Sequence, residues 1–273
     1  MEFQNEVYEQ YLTYSSLGNR LAAKISVFDK NTDLPELCDL VGTGKIDGAE
    51  SLGVMEIPVD KIVGTAGICG KESYTADFLP VEKPDSKFAE TWRNIYLNHL
   101  NNKEIPPISC YEYLGKFYVI DGKKRVSVMK CNGAPAIAAD VIRVLPAGQE
   151  TQEALHYYSF LESYKKTGLY QVALCPKYSF EDLQKALGHE KDYQWTKFDR
   201  SSMMFRLYTV ASALRMSKFN HLPISPVDAL MVLFEGFSNE EVIKMTSWQM
   251  AKYFNHNKEK MLAICPQQAK KIA

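Results

Sequence analysis

Residues 117–125, Phe-Tyr-Val-Ile-Asp-Gly-Lys-Lys-Arg, constrain this chain more than any other stretch. Phe117 to Ile120 are β-branched or aromatic and read as a strand. Asp121-Gly122 then turns the chain, and Lys123, Lys124 and Arg125 follow at once. Three cations directly behind a strand end make a natural anion site. Two continuations satisfy these residues. In one, Asp121-Gly122 is a type I′ hairpin turn and Arg125 to Lys130 alternates as the return strand. In the other, a helix starts with Asp121 as its cap and ends at Gly133 in the left-handed conformation. The cations then lie over free first-turn N–H groups, where donors and helix dipole together stabilise a phosphate.

Five short motifs occur in order around this turn: Ile57 to Gly64 (IPVDKIVG), Asp77-Phe78-Leu79-Pro80, Trp92-Arg93, Pro106-Pro107-Ile108, and Asp121 to Val128 (DGKKRVSV). In this order they resemble the ParB/sulfiredoxin-like superfamily, and most of all a bacterial subgroup of ParB-like domain proteins whose turn reads DGxHRVSV. The resemblance covers residues 50–146. It implies a strand, an Asp-Gly turn and a helix, and so selects the second continuation. It implies an α/β (α+β) fold: a small mixed sheet with helices, followed here by a helical C-terminal region.

For function, the resemblance implies a turn that binds a phosphate of a nucleotide or nucleic acid, in a DNA-associated or regulatory protein. The residues are Asp121 to order the turn, Gly122 for close backbone approach, and Lys123, Lys124 and Arg125 to neutralise charge. Gly67 and Lys71, in the glycine-rich Gly64–Lys71 segment, lie where ParB proteins carry their first motif; small residues there read first as a plain flexible loop, with a ligand cradle as the alternative.

Departures from the family pattern narrow the chemistry. Lys123 stands where sulfiredoxin carries its nucleophilic cysteine, so repair of cysteine sulfinic acid is not expected. ParB proteins bind cytidine triphosphate through Gly-Glu-Arg-Arg and an arginine in the first motif. This chain substitutes Lys123 and Lys124 and lacks that arginine, which leaves point-charge pairing without the bidentate fork. A nucleoside triphosphate with Mg²⁺ is the implied cofactor, and weak NTPase activity is compatible with it. Lys124 replaces the subgroup's histidine, which argues against shared acid–base chemistry. Two alternatives stay open: a non-catalytic interaction module in which the turn is only structural, and a nucleotide-dependent NTPase or kinase.

The formal net charge of −1 offers no global attraction to nucleic acid. Residues 201–273 differ, with nine Lys/Arg against five Asp/Glu, a local excess of four. Six cysteines form no CxxC pair and sit beside no histidine, so they read as buried thiols in a reducing compartment. The N-terminus, MEFQNEVYEQ, is too acidic and polar for a signal or transit peptide, and no apolar run is long enough to span a membrane. The expectation is a cytoplasmic protein with nucleotide or DNA as partner, no membrane, and a homodimer compatible.

Along the chain, residues 1–49 are set apart as an N-terminal helical segment, with Tyr8, Tyr11, Leu12, Leu17, Leu21 and Ile25 at roughly helical spacing. Val41–Gly48 fails the Walker A spacing and reads as a linker. Ile57–Val63 is the expected first strand of the 50–146 domain. A helix is expected from Asp85 or Ser86 to Asn101, then a hairpin of Ile108–Tyr113 with Lys116–Ile120, and a last strand from Ile137 to Leu145. Residues 147–273 are helix-rich, with a short strand at Tyr170–Leu174, a helix from Ser201 to Lys218 and a capping pair at Ser179 and Asp182. Within 226–264, Gly236 to Val242 resembles the GxSNxEI helix of LuxR-type regulators, with a turn about two residues shorter than that family uses. The DNA-binding candidates of this degenerate helix-turn-helix are Trp248, Lys252 and Lys258; a helical packing extension is the alternative.

Overall fold

A computed structural model describes residues 2–27, 34–41, 46–67, 70–147 and 151–265. The fold is α+β, with a five-stranded mixed sheet accompanied by helices. The chain divides into two compact units, residues 1–154 and 155–273. Residues 1–49, set apart on sequence, fall within the first unit.

The first unit begins with α1 (Glu2–Val27) and the short α2 (Leu37–Val41). Strand β1 (Ile46–Pro58) runs antiparallel to a strand near the unit's end, pairing Ile57 with Ile137. A 3₁₀ turn over Val59–Lys61 then leads into β2 (Ile62–Thr65). Helix α3 (Lys87–Leu100) follows, then β3 (Ile108–Tyr113), β4 (Lys116–Asp121), α4 (Lys123–Cys131) and β5 (Ala136–Pro146). The strand order is β1-β5-β3-β4-β2, so β1 and β2, neighbours in sequence, occupy opposite edges.

This order corrects the expected single strand Ile57–Val63. Pro58 has no N–H for a further rung, and the Val59 N–H turns aside to donate to the Pro135 carbonyl at 3.2 Å. Ile57, Val59 and Ile62 are all buried, a spacing that no continuous strand provides. The expected linker also changes. Ile46 to Gly48 belong to β1, while residues 42–45 lie outside the described residues. The hairpin across Leu114-Gly115 forms as expected, except that pairing continues to Asp121, opposite Ser109.

Helix α1 lies on α3 through a face that keeps Tyr11 of the expected tyrosine–leucine stripe and turns other members of the stripe outward. Val7, Tyr11, Ser15 and Gly18 are buried, whereas Tyr8 and Leu17 are exposed. Gly18 is required, because a Cβ there collides with the Pro80 carbonyl oxygen. Tyr11 meets Trp92 edge-on at 5.3 Å, and Trp92 stacks on Tyr96 at 5.2 Å. Trp92 also donates its indole N–H to Ser127 Oγ at 2.9 Å, which ties α3 to α4. Ser86 caps α3 by accepting from the Ala89 N–H.

Inside the sheet, Arg143 on β5 donates to Glu112 on β3 at 2.5 Å, and both side chains are shielded from solvent. Glu112 also accepts from the Gly115 N–H at 2.8 Å and so braces the hairpin turn.

The boundary falls within the first turn of α5 (Gln152–Thr167), and the second unit holds the rest of α5 with α6 (Phe180–Leu187), α7 (Lys197–Met216), α8 (Pro226–Phe234), α9 (Asn239–Lys244), α10 (Ser247–His256) and α11 (Lys258–Ala263). Val227 to Leu233 of α8 are buried without a break, and α7, α9 and α11 pack against it. Capping boxes start α6, α7, α9 and α10. That at Thr196 and Asp199 starts α7 four residues ahead of the expected Ser201; the T-x-x-D pattern is its sequence signal. Tyr170–Leu174 is turn and irregular chain, not a strand, because no described strand of this unit offers it a partner.

Two predictions follow from these interiors. Glu112→Ala removes the carboxylate beside a buried guanidinium and should destabilise the protein by about 3–5 kcal/mol in urea unfolding. The second concerns His189, which stacks on Tyr193 at 4.0 Å and meets Trp195 edge-on. Burial holds its imidazole below the ordinary histidine value; the Asp199 carboxylate opposes this and Arg206 reinforces it. The unfolded chain therefore binds the proton first, so this contribution to stability is complete above about pH 6.5 and declines as pH falls below it. His189→Gln should flatten the pH dependence of the melting temperature between about pH 5 and 6.5.

Candidate functional site

The β4–α4 turn is built around one guanidinium. Arg125 donates to the Pro106 and Pro107 carbonyls at 2.8 and 2.6 Å and to Asp121 Oδ2 at 2.6 Å. It thereby fastens the segment before β3 to the end of β4. Gly122 passes beneath with φ +104°, a conformation that favours glycine; a Cβ there stands 2.6 Å from Ile108 Cγ2 and 2.9 Å from Arg125 Nε. The helix reading of Lys123–Cys131 holds, and Gly133 follows it with φ +65°.

The expected cap does not form. Gly122 occupies the N-cap position, no side chain caps α4, and the Asp121 carboxylate pairs with Arg125 instead. The first-turn N–H groups of Lys123, Lys124 and Arg125 therefore have no acceptor within the helix. They carry the positive end of the helix dipole.

This turn lines a cavity of about 340 Å³. Asp121, Gly122, Lys123, Lys124 and Arg125 form one side, and Gly70, Ser73, Tyr74, Phe88 and Ile95 form the rest. Lys124 Nζ lies 5.0 Å from the centre of the Phe88 ring, so its charge sits beside an aromatic face. Tyr74 meets Phe88 edge-on at 5.2 Å, and burial pushes its phenol far above the ordinary tyrosine value, which keeps it neutral. Ser73 donates to Glu82 at 2.9 Å. The lining thus holds three cations against one carboxylate, and Arg125 is engaged in holding the turn, which leaves Lys123 and Lys124 to meet a ligand.

The structure separates the other expected cradle residues from this group. Lys71 forms an ion pair with Glu36, and that partner draws its side chain away from the anion role expected of it. Gly67 is held in the Thr65 turn, where its carbonyl accepts from Thr65 Oγ1 at 2.9 Å, and it does not line the cavity. Gly70, with φ +73°, stands in its place. Cys69, in the same loop, lies outside the described residues. Tyr74, Phe88 and Ile95 were not singled out for this site by sequence, because nothing local announces that α3 comes alongside the β4–α4 turn.

In the second unit, Trp248 is exposed at the start of α10, with Lys252 Nζ 5.5 Å from its ring, and Lys258 opens α11. Only Met245 and Thr246 separate α9 from α10. Among the described residues, no group of three or more His, Cys, Asp or Glu is arranged around a metal position. No described helix is long and apolar enough to cross a membrane. The five described cysteines are free thiols: Cys38 is exposed, Cys110 and Cys265 are buried, and burial pushes Cys110 up to about 12.

No protein-family model matches the chain, and no curated protein sequence matches it.

The division of labour within the turn has a measurable consequence. Arg125→Ala should cost about 1–3 kcal/mol in urea unfolding, because it strips charged donors from two carbonyls and a carboxylate. Lys124→Ala should change stability by no more than about 0.5 kcal/mol.

Proposed function

We propose that the cavity at the N-terminus of α4 binds a phosphate group of a nucleotide or nucleic acid, and that the protein is a DNA-associated or regulatory member of the ParB/sulfiredoxin-like superfamily. The observation that carries this reading is the uncapped first turn of α4, opening into a cavity beside Lys123 and Lys124. Three N–H donors, a helix dipole and two ammonium groups converge there, a combination suited to phosphate oxygens. Phe88 and Tyr74 offer flat apolar surface next to it, as a nucleobase requires.

The residues suit a nucleoside triphosphate better than they suit its metal. Asp121 is the one carboxylate of the lining, and Arg125 already holds it. A bound Mg²⁺ would take its ligands chiefly from the phosphates and water. Among the described residues the lining offers no histidine or thiol as acid or base, and the chemistry these residues support is recognition through charge and shape.

Titrating the whole protein with each nucleoside triphosphate, with and without Mg²⁺, should raise its melting temperature by several degrees at saturation. The combined Lys123→Ala and Lys124→Ala variant should melt where the wild type does without ligand and lose most of the shift. Absence of a shift with every nucleotide and with inorganic polyphosphate would sink the proposal.

A further inference from the structure

The second unit carries an aromatic surface that its core does not use. On α7, Phe198 is 79% exposed, Phe205 74% and Tyr208 56%. At 100° per residue, Phe198, Phe205, Ser212 and Met216 fall within one narrow stripe and Tyr208 lies beside it. The opposite side of α7 buries Met203, Leu207, Val210 and Leu214. The stripe is therefore the helix's solvent face.

Helix α10 extends this face. Ser247 Oγ donates to the Thr209 carbonyl at 3.2 Å, and Asn255 Oδ1 accepts from the Lys218 N–H at 2.8 Å. Successive positions of α10 thus follow successive positions of α7, and the two helices run side by side in the same direction. Trp248 lies seven residues, two turns, before Asn255 and so shares its side of α10, the side turned toward α7. Trp248 is nonetheless 61% exposed, so it borders the α7 stripe instead of filling the core.

The charges on this face share one sign. Lys197 and Arg215 share one position on the helical wheel, about 20° beyond Tyr208 on the side away from Phe205, and Lys218 follows the helix end. Lys252 stands over the Trp248 ring. Asp199, the one carboxylate on α7, is engaged by Thr196 and Tyr193, and α10 has no acidic residue.

We infer that the α7–α10 face binds single-stranded nucleic acid, with unpaired bases stacked on Phe205, Tyr208 and Trp248 and the phosphates met by Lys197, Arg215 and Lys252. Exposed rings interleaved with cations suit a polyanion whose every unit presents a flat π-face. A duplex hides those faces within its own stack, so the surface discriminates for the single strand. This surface belongs to the second unit and stands independently of the phosphate cavity of the first.

The test follows the fluorescence anisotropy of labelled oligothymidylate of about 15 nucleotides, against the full chain at about 50 mM salt, beside a duplex of the same length. The single strand should bind more tightly, with an affinity that falls steeply as salt rises. Phe205→Ala and Trp248→Ala should each weaken it about tenfold, as the loss of one stacked base requires. Both side chains are exposed, so circular dichroism and melting temperature should stay at wild-type values. Lys116→Ala, at an exposed position of the first unit outside both proposed surfaces, should leave the binding unchanged. The inference is overturned by no binding at low salt, by equal or tighter binding of the duplex, by affinity that survives both aromatic substitutions, or by loss that tracks Lys124→Ala alone. Sedimentation showing a dimer that Phe205→Ala or Trp248→Ala splits would reassign the face to self-association and likewise overturn it.

Discussion

Arg125 holds together the part of the first unit on which the rest turns. Its guanidinium reaches two carbonyls of the Pro106-Pro107 segment and the carboxylate of Asp121, closing a ring of hydrogen bonds around Gly122. An arginine fork suits this work because it offers several donors in fixed directions at once, which a lysine ammonium cannot. The closure determines where β4 stops and α4 starts, and so where the helix directs its free amides. A residue that charge alone would assign to a ligand is thereby committed to the scaffold, and Lys123 and Lys124 are left facing the cavity.

The same economy of groups recurs in the sheet and in the second unit. Glu112 and Arg143 are both removed from water and neutralise each other, while Glu112 also receives the Gly115 amide at the hairpin turn. In α8 the Asp228 carboxylate is buried, and burial raises its pKa; it accepts from the Cys175 N–H at 2.7 Å and from Ser225 at 2.6 Å. Each buried charge braces an irregular stretch of backbone whose amide needs an acceptor.

A chain with net charge −1 can still present strongly cationic local surfaces, because its acidic residues are used elsewhere. Asp182, Asp199 and Glu241 sit in capping boxes, and Glu36, Glu112 and Glu235 are ion-paired. Glu235 receives Lys177, Lys260 and the Tyr178 hydroxyl, which together hold its carboxyl down at about 2 against the opposing effect of burial. What the overall charge conceals is a segregation of anions into structural duties.

Much of this architecture was legible in the residues alone. The β3–β4 hairpin, the bounds of α3 and the capping pair at Ser179 and Asp182 follow from alternation and capping chemistry, which act within a few residues. From residues alone, the hairpin and helix continuations after Gly122 stayed open; resemblance chose between them, and the structure bears that choice out. Tertiary structure alone decided that Ile57–Val63 parts into two strands at opposite sheet edges, that Lys71 turns to Glu36 and Arg125 to the Pro-Pro carbonyls, and that Phe88 arrives beside Lys124. The physical reason is range. A cap or turn is satisfied by neighbours in the chain, whereas the partner of a long flexible cation is whichever acceptor the fold brings within a few ångströms, and local sequence does not encode that distance.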